Sequence, residues 1–264
     1  MDRGCDDIDL EYRAMGTKAI DPQSIRNVTI IGDVDGTARV VHRLRRCFGD
    51  TENTVRWSMD GIEHTIRVAE LSGDALIADL ERSIRVADAV IVVVDAAAHA
   101  TPRLETMLRV ADDHQVARLC LVGGLDQPTA DFDRCVRTIA DARGAAPLAL
   151  QIPVGAGVGF DVIDLVPLSA LEAAATESLG SPGQPAERWC RSLVAILTEQ
   201  HPVDSLTVRD LHTRIRRRTR NGDIVPILCA TPLARDDIAP LLDAIVRYLP
   251  SPLYVCQPEH ALDY

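Results

Sequence analysis

Lysine is almost missing. Lys18 is the single one among 264 residues, so arginine carries nearly all of the basic charge. Chemistry that needs a side-chain amine is thereby excluded from the remainder of the chain. Aromatic residues are scarce, at 3%, so the core must be packed from Val, Leu, Ile and Ala. No apolar run reaches the roughly 20 residues needed to cross a bilayer. The acidic opening MDRGCDDIDLEYR is no signal peptide, and a cytoplasmic location is expected. Seven cysteines are scattered with no C-x-x-C spacing. Buried free thiols in a reducing compartment are therefore expected, not disulfides or zinc. The seven histidines show no metal-ligand spacing either, and no metal site is expected. A net charge of −11 argues against DNA as a partner.

What is present is the composition of a globular protein, 47% hydrophobic and 25% charged. Residues 1–24 are acidic and aperiodic and read as a disordered or loosely docked arm. Beyond them strand and helix signals alternate. A strand over 28–31 leads to a helix near 37–47. A hairpin follows, TVRWSM and HTIRVAEL joined by DGIE. A helix covers about 75–86. DAVIVVVDA (88–96) is a β-branched run of the kind buried on both faces of a parallel sheet. Helix 102–114, strand 117–124 and helix 129–142 come next. This alternation points to an α/β fold with a doubly wound, mostly parallel sheet. The pattern breaks at 147–221, read as an inserted α+β subdomain. It holds short strands in APLALQIPVG and FDVIDLVPLSAL, a loop TESLGSPGQP, and helices 186–200 and 205–220. A strand (223–231) and a helix (236–249) complete the main body. The expected division is 25–146 and 222–252 for that body, with 253–264 as a tail.

The stretch IRNVTIIGDVDGTARVVHRL (25–44) is a strand, a glycine turn and a helix, the arrangement that cradles a nucleotide phosphate. Its lysine is absent. Gly32 and Gly36, with Arg39 as the cation, would make an anion nest. The plainer reading is a strand-to-helix turn whose glycines serve geometry alone. Asp33 and Asp35 sit inside the turn, where a carboxylate accepts N–H bonds at a helix N-terminus. One of them is expected to fold back as an internal anion over a helix beginning near Thr37.

Longer stretches carry a resemblance. LERSIRVADAVIVVVDAAAHATPRLETMLRVADDHQVARLCLV, ADFDRCVRTIADARGAAPLALQIPVG and NGDIVPILCATPLARDDIAPLLDAIVRYLPSP, following IRNVTIIGDVDG, are similar in order and spacing to one family. It is the GTP-binding domain of bacterial elongation factor G and of its tetracycline-resistance, ribosome-protecting relatives. The resemblance spans about 25–252 and implies a P-loop NTPase-type G domain with an insertion. The motifs depart from it. Against G-x-x-x-x-G-K-[ST], the lysine position holds Ala38 without a gap, or Thr37 with a one-residue deletion. Against D-T-P-G-H the chain reads ELSGD, where Gly73 matches the glycine, Glu70 replaces the acid and Asp74 stands at the histidine. Against N-K-x-D it reads GGLD, which keeps only Asp126; this carboxylate either selects guanine or caps the turn before Pro128. The last base-contacting loop is Cys229-Ala230-Thr231. The switch segment is shortened to CFGDTENTVRW.

The resemblance therefore implies a degenerate nucleotide site made of Gly32, Asp35, Gly36, Thr37, Arg39, Gly73, Asp126 and Ala230, with no catalytic residue. The expected function is a stand-alone pseudo-GTPase of the translation-factor family that acts by contact with a protein partner or the ribosome. GTP or GDP with Mg is expected only as a weak residual ligand. The alternative is an unconventional nucleotide- or phosphate-binding protein that uses Arg39 in place of the lysine. The one basic cluster, Arg214, Arg216, Arg217, Arg218 and Arg220, is either an RNA-contacting patch or a solvated helix end whose cations suit the C-terminal dipole.

Overall fold

The computed structural model describes residues 21–47, 53–71, 74–98, 102–142, 145–174, 184–198, 206–230 and 237–255. Most of the expected arm, and the tail beyond 255, lie outside them. The main sheet has seven strands: β1 (Ile25–Gly32), β2 (Thr54–Met59), β3 (Ile62–Glu70), β4 (Ala89–Asp95), β5 (Ala117–Gly123), β6 (Ala146–Ala149) and β9 (Ile224–Cys229). Their order is β2-β3-β1-β4-β5-β9-β6, and every pairing is parallel except β2 with β3. A second, two-stranded sheet pairs β7 (Gln151–Val154) with β8 (Asp161–Asp164).

Eight helices accompany them among the described residues: α1 (Val34–Arg45), α2 (Ile77–Val86), α3 (Pro102–Asp113), α4 (Phe132–Asp141), α5 (Leu165–Ala174), α6 (Gln184–Thr198), α7 (Val208–Arg220) and α8 (Ala239–Tyr248). The mostly parallel sheet with flanking helices is that of a P-loop NTPase G domain, as the sequence led one to expect.

The core follows from the periodicities. In β4 all residues from Ala89 to Val94 are buried, because helices cover both sheet faces. On α1, Val40, Val41 and Leu44 recur at helical spacing and are all buried. Several boundaries differ from the sequence reading, each for a local reason. The β2–β3 hairpin closes through Asp60 and Gly61 alone, both at positive φ (53° and 77°). This is the two-residue turn that matches strand twist, so β3 starts at Ile62, not His64. The run FDVIDLVPLSAL is not all strand. Asp164 accepts the Val166 N–H (3.0 Å), and helix α5 starts at Leu165. The strand expected over APLALQIPVG splits at Leu150. Its first half, β6, is an edge strand of the main sheet and its second half, β7, belongs to the hairpin. Residue 147, where the insertion was expected to begin, therefore lies inside a main-sheet strand.

Arginine does unusual structural service here. Arg26, 1% exposed, donates to the backbone carbonyls of Gln23, Ile25 and Val246 at 2.7, 2.7 and 2.9 Å. Arg118, 3% exposed at the start of β5, pairs with Asp112 near the end of α3 at 2.7 Å. A buried guanidinium without its carboxylate is costly. Asp112→Ala is therefore expected to destabilise the fold by about 1–3 kcal/mol in urea unfolding. Glu63→Ala, which breaks an exposed 3.9 Å pair with Arg56, should stay within about 0.5 kcal/mol.

Candidate functional site

The turn between β1 and α1 leaves Gly32 close against β4. A Cβ there would lie 2.5 Å from the Val93 carbonyl oxygen. Only Asp33 separates Gly32 from α1, whose first residue is Val34. The helix thus begins three residues before Thr37, the expected start. Asp33 has extended backbone and caps the helix. Its Oδ1 accepts the Gly36 N–H at 2.7 Å, and its backbone oxygen accepts the Thr37 N–H at 3.0 Å. Of the two candidate acids, Asp33 is the internal anion. Asp35 sits exposed in the first turn, and its carbonyl accepts Arg39 Nε at 3.2 Å. The early helix start leaves one residue where a phosphate-wrapping loop needs several.

A solvent-open cleft of about 570 Å³ lies beside this turn, at the C-terminal ends of β4 and β5. It brings together four of the expected site residues, Gly36, Arg39, Asp126 and Ala230. Gly32, Asp35 and Thr37 do not line it. Thr37 is 1% exposed, its hydroxyl has no hydrogen-bond partner, and it faces the Gly32 Cα. The expected position Gly73 falls outside the described residues. Glu70 is engaged elsewhere, with Arg45 at 3.2 Å.

The cleft also holds residues that the motif comparison passed over. Arg43 joins Arg39 on α1, one helical turn further on. Asp95, at the end of β4, accepts the Ala97 N–H at 2.9 Å and lies against Gly124. Gly124 has φ +66°, and any Cβ would collide with that carboxylate. The glycine that stands for the family's lysine is thus required by Asp95. Phe160, from the β7–β8 hairpin, closes one wall and is 4% exposed. An acid ending a buried strand was the available signal for Asp95. Nothing local marked Phe160, since its position depends on the hairpin's docking. The cleft's charge is mixed: Asp33, Asp95 and Asp126 against Arg39 and Arg43. One carboxylate already occupies the helix N-terminus, where a phosphate would otherwise gain most.

The cap can be tested by itself. Asp33→Ala is expected to cost about 1 kcal/mol, within the roughly 0.5–2 kcal/mol span of lost caps. Asp33→Asn, which keeps an accepting oxygen, should leave the thermal midpoint nearly unchanged. Equal losses in the two variants would contradict a hydrogen-bonding role.

Comparison with known proteins agrees with this architecture. The family model described as the elongation factor Tu GTP binding domain matches residues 45–251, over three quarters of the chain. The match begins at the last residue of α1, after the altered phosphate turn. The crystal structure of a protein from Thermus thermophilus superimposes with a TM-score of 0.68 at 18% identity. It covers 87% of this chain, which spans 41% of that protein; at this identity the likeness is one of fold. The seven-stranded sheet, the cleft at its C-terminal edge and the family match agree, and the chain belongs to the elongation factor Tu GTP-binding domain family.

Proposed function

We propose that this translation-factor-like G domain works without a bound nucleotide, as a pseudo-GTPase that acts by contact with a protein partner or the ribosome. The observation that carries the reading is the Asp33 cap. In a phosphate-binding turn the free N–H groups at the helix start hold the anion; here Gly36 N–H is committed to Asp33 at 2.7 Å. Three further departures add to it. The sequence of the turn holds no lysine, Gly123 and Gly124 replace the base-loop pair, and only residues 46–53 separate α1 from β2.

Magnitudes support the same reading. A hydrogen bond to a charged group contributes roughly 1.5–3 kcal/mol. Losing the lysine, the magnesium hydroxyl and the base-loop pair removes on the order of 4–9 kcal/mol. A nucleotide otherwise bound at roughly −8 to −10 kcal/mol then falls, at the middle of both ranges, to weaker than about millimolar. Hydrolysis depends on positioning and charge stabilisation, and each lost donor costs about 10²–10³ in rate.

For the partner, a protein surface is favoured over RNA. In the basic cluster, Arg214 and Arg218 donate to the Leu197 and Ile196 carbonyls at the end of α6. Arg220 lies over the Tyr254 ring at 4.0 Å. Arg217 is exposed. Side chains drawn into helix capping and stacking do not form a phosphate-tracking stripe.

The second reading, a phosphate site carried by Arg39, is favoured by one observation: Arg39 and Arg43 share the cleft with Asp126. Calorimetric titration with GTP and GDP in magnesium separates the two. Affinity no better than about millimolar for both nucleotides is expected. Micromolar affinity that Arg39→Ala abolishes would overturn the first reading in favour of the second.

A further inference from the structure

A second cleft lies away from the nucleotide position. It opens between the β7–β8 hairpin, α7 and α8, with about 1030 Å³ of space continuous with solvent. Its walls are of two kinds. Leu150, Val162, Leu228, Pro240 and Ala244 form an apolar side. Gln151, Asp164, Asp237, Asp243, Arg247, His212 and Tyr248 supply the polar side, with Asp237 accepting the Ala239 N–H at 2.9 Å.

The polar groups differ in how far they are committed. Tyr248 is 5% exposed, and its hydroxyl meets His212 Nδ1 at 2.7 Å. Burial pushes the Tyr248 hydroxyl up, so the phenol keeps its proton. Burial, with Arg247 nearby, lowers His212 to about 4. The phenol and Nδ1 of a neutral imidazole share one hydrogen bond, and the ring tautomer sets which of them donates. The other ring nitrogen, Nε2, has no partner among the described residues. The Arg247 guanidinium, among the described residues, has a single weak contact, NH2 to Met59 Sδ at 3.6 Å. Asp164 uses one oxygen to cap α5 (Val166 N–H, 3.0 Å), and Asp243 uses one to accept Trp57 Nε1–H at 2.8 Å. Each of these carboxylates has a second oxygen.

We infer that this cleft binds a small aliphatic zwitterion, of the class of the free aliphatic α-amino acids. Arg247 offers donors to a carboxylate, with His212 beside it on the same cleft. The second oxygens of Asp164 and Asp243 offer acceptors to an ammonium group. The apolar wall takes a branched hydrocarbon side chain. Both signs are needed in the ligand. A simple anion meets three carboxylates that repel it, and a simple cation leaves the Arg247 donors unfilled. Charge-assisted bonds of this kind are the stronger hydrogen bonds, and groups left unpaired in a partly buried site are penalised. None of the residues invoked lines the nucleotide-position cleft, so the inference stands apart from the pseudo-GTPase reading.

The test is a thermal-shift and calorimetric panel on the full chain with L-leucine, 4-methylpentanoate and 3-methylbutylamine. These share the hydrocarbon, and the last two each lack one charge. L-leucine should raise the midpoint and bind at least about tenfold more tightly than either analogue, a difference equal to one unpaired charged contact. Arg247→Gln, checked for folding by circular dichroism, should abolish the leucine response. Absence of a leucine response at millimolar concentration, an equal response to a single-charge analogue, or a folded Arg247→Gln protein that still binds would each overturn the inference. The wild-type panel decides the matter even where the variant fails to fold. A response to GDP leaves this result unaffected.

Discussion

The arrangement of the site depends on one hydrogen bond, between the Gly36 N–H and the Asp33 carboxylate. A helix N-terminus presents several unpaired N–H groups and a partial positive charge, and some acceptor must meet them. In a phosphate-binding turn that acceptor arrives with the ligand. Here the chain supplies it, and the consequences propagate. Because Asp33 is the cap, α1 begins at Val34. The turn then has too few residues to encircle an anion. Gly32 is pressed against Val93, and Thr37, which one alignment places at the lysine position, is sealed beneath the helix. On the proposed reading, a turn that satisfies itself in this way needs no ligand for its order and opposes an incoming phosphate.

The remainder of the fold is held by means that suit a chain with one lysine and few aromatics. Aliphatic strands fill the centre of the sheet. Arginine ties peripheral elements together by donating to backbone carbonyls: Arg26 to Val246, Arg134 to Ala96, Arg214 to Leu197. The planar, multiply donating guanidinium suits this use because it reaches several acceptors at once without losing its charge. Surface charge that would read as a nucleic-acid patch in the sequence is thereby partly drawn into structure.

Much of this was legible in the residues. The β-branched run of β4 and the 3.6-residue spacing of Val40, Val41 and Leu44 identify a buried strand and its helix. The order of such elements, with the family likeness of the long central stretch, was enough for the G-domain fold. That an aspartate would act as an internal anion was readable from Asp33 and Asp35 in a glycine turn. Which of the two does so depends on where the helix starts, and helix starts are set by cap geometry that sequence spacing leaves open by a residue or more. The split of APLALQIPVG at Leu150 was not legible. Both halves are apolar and β-favouring, and only pairing with β9 on one side and β8 on the other separates them. The second cleft was equally hidden, since Asp164, His212 and Arg247 are far apart in sequence and meet only through the docking of the hairpin on α7 and α8.

The central claim is that the helix N-terminus is already occupied by the chain's own carboxylate. The most direct test is the amide resonance of Gly36 followed by nuclear magnetic resonance during titration with GDP and magnesium. The account predicts that the Gly36 signal stays in place and protected from solvent exchange throughout, and that it moves in Asp33→Ala protein without any ligand. A saturable shift of the Gly36 amide in the wild-type protein on adding GDP would show that phosphate displaces Asp33, and would contradict the account.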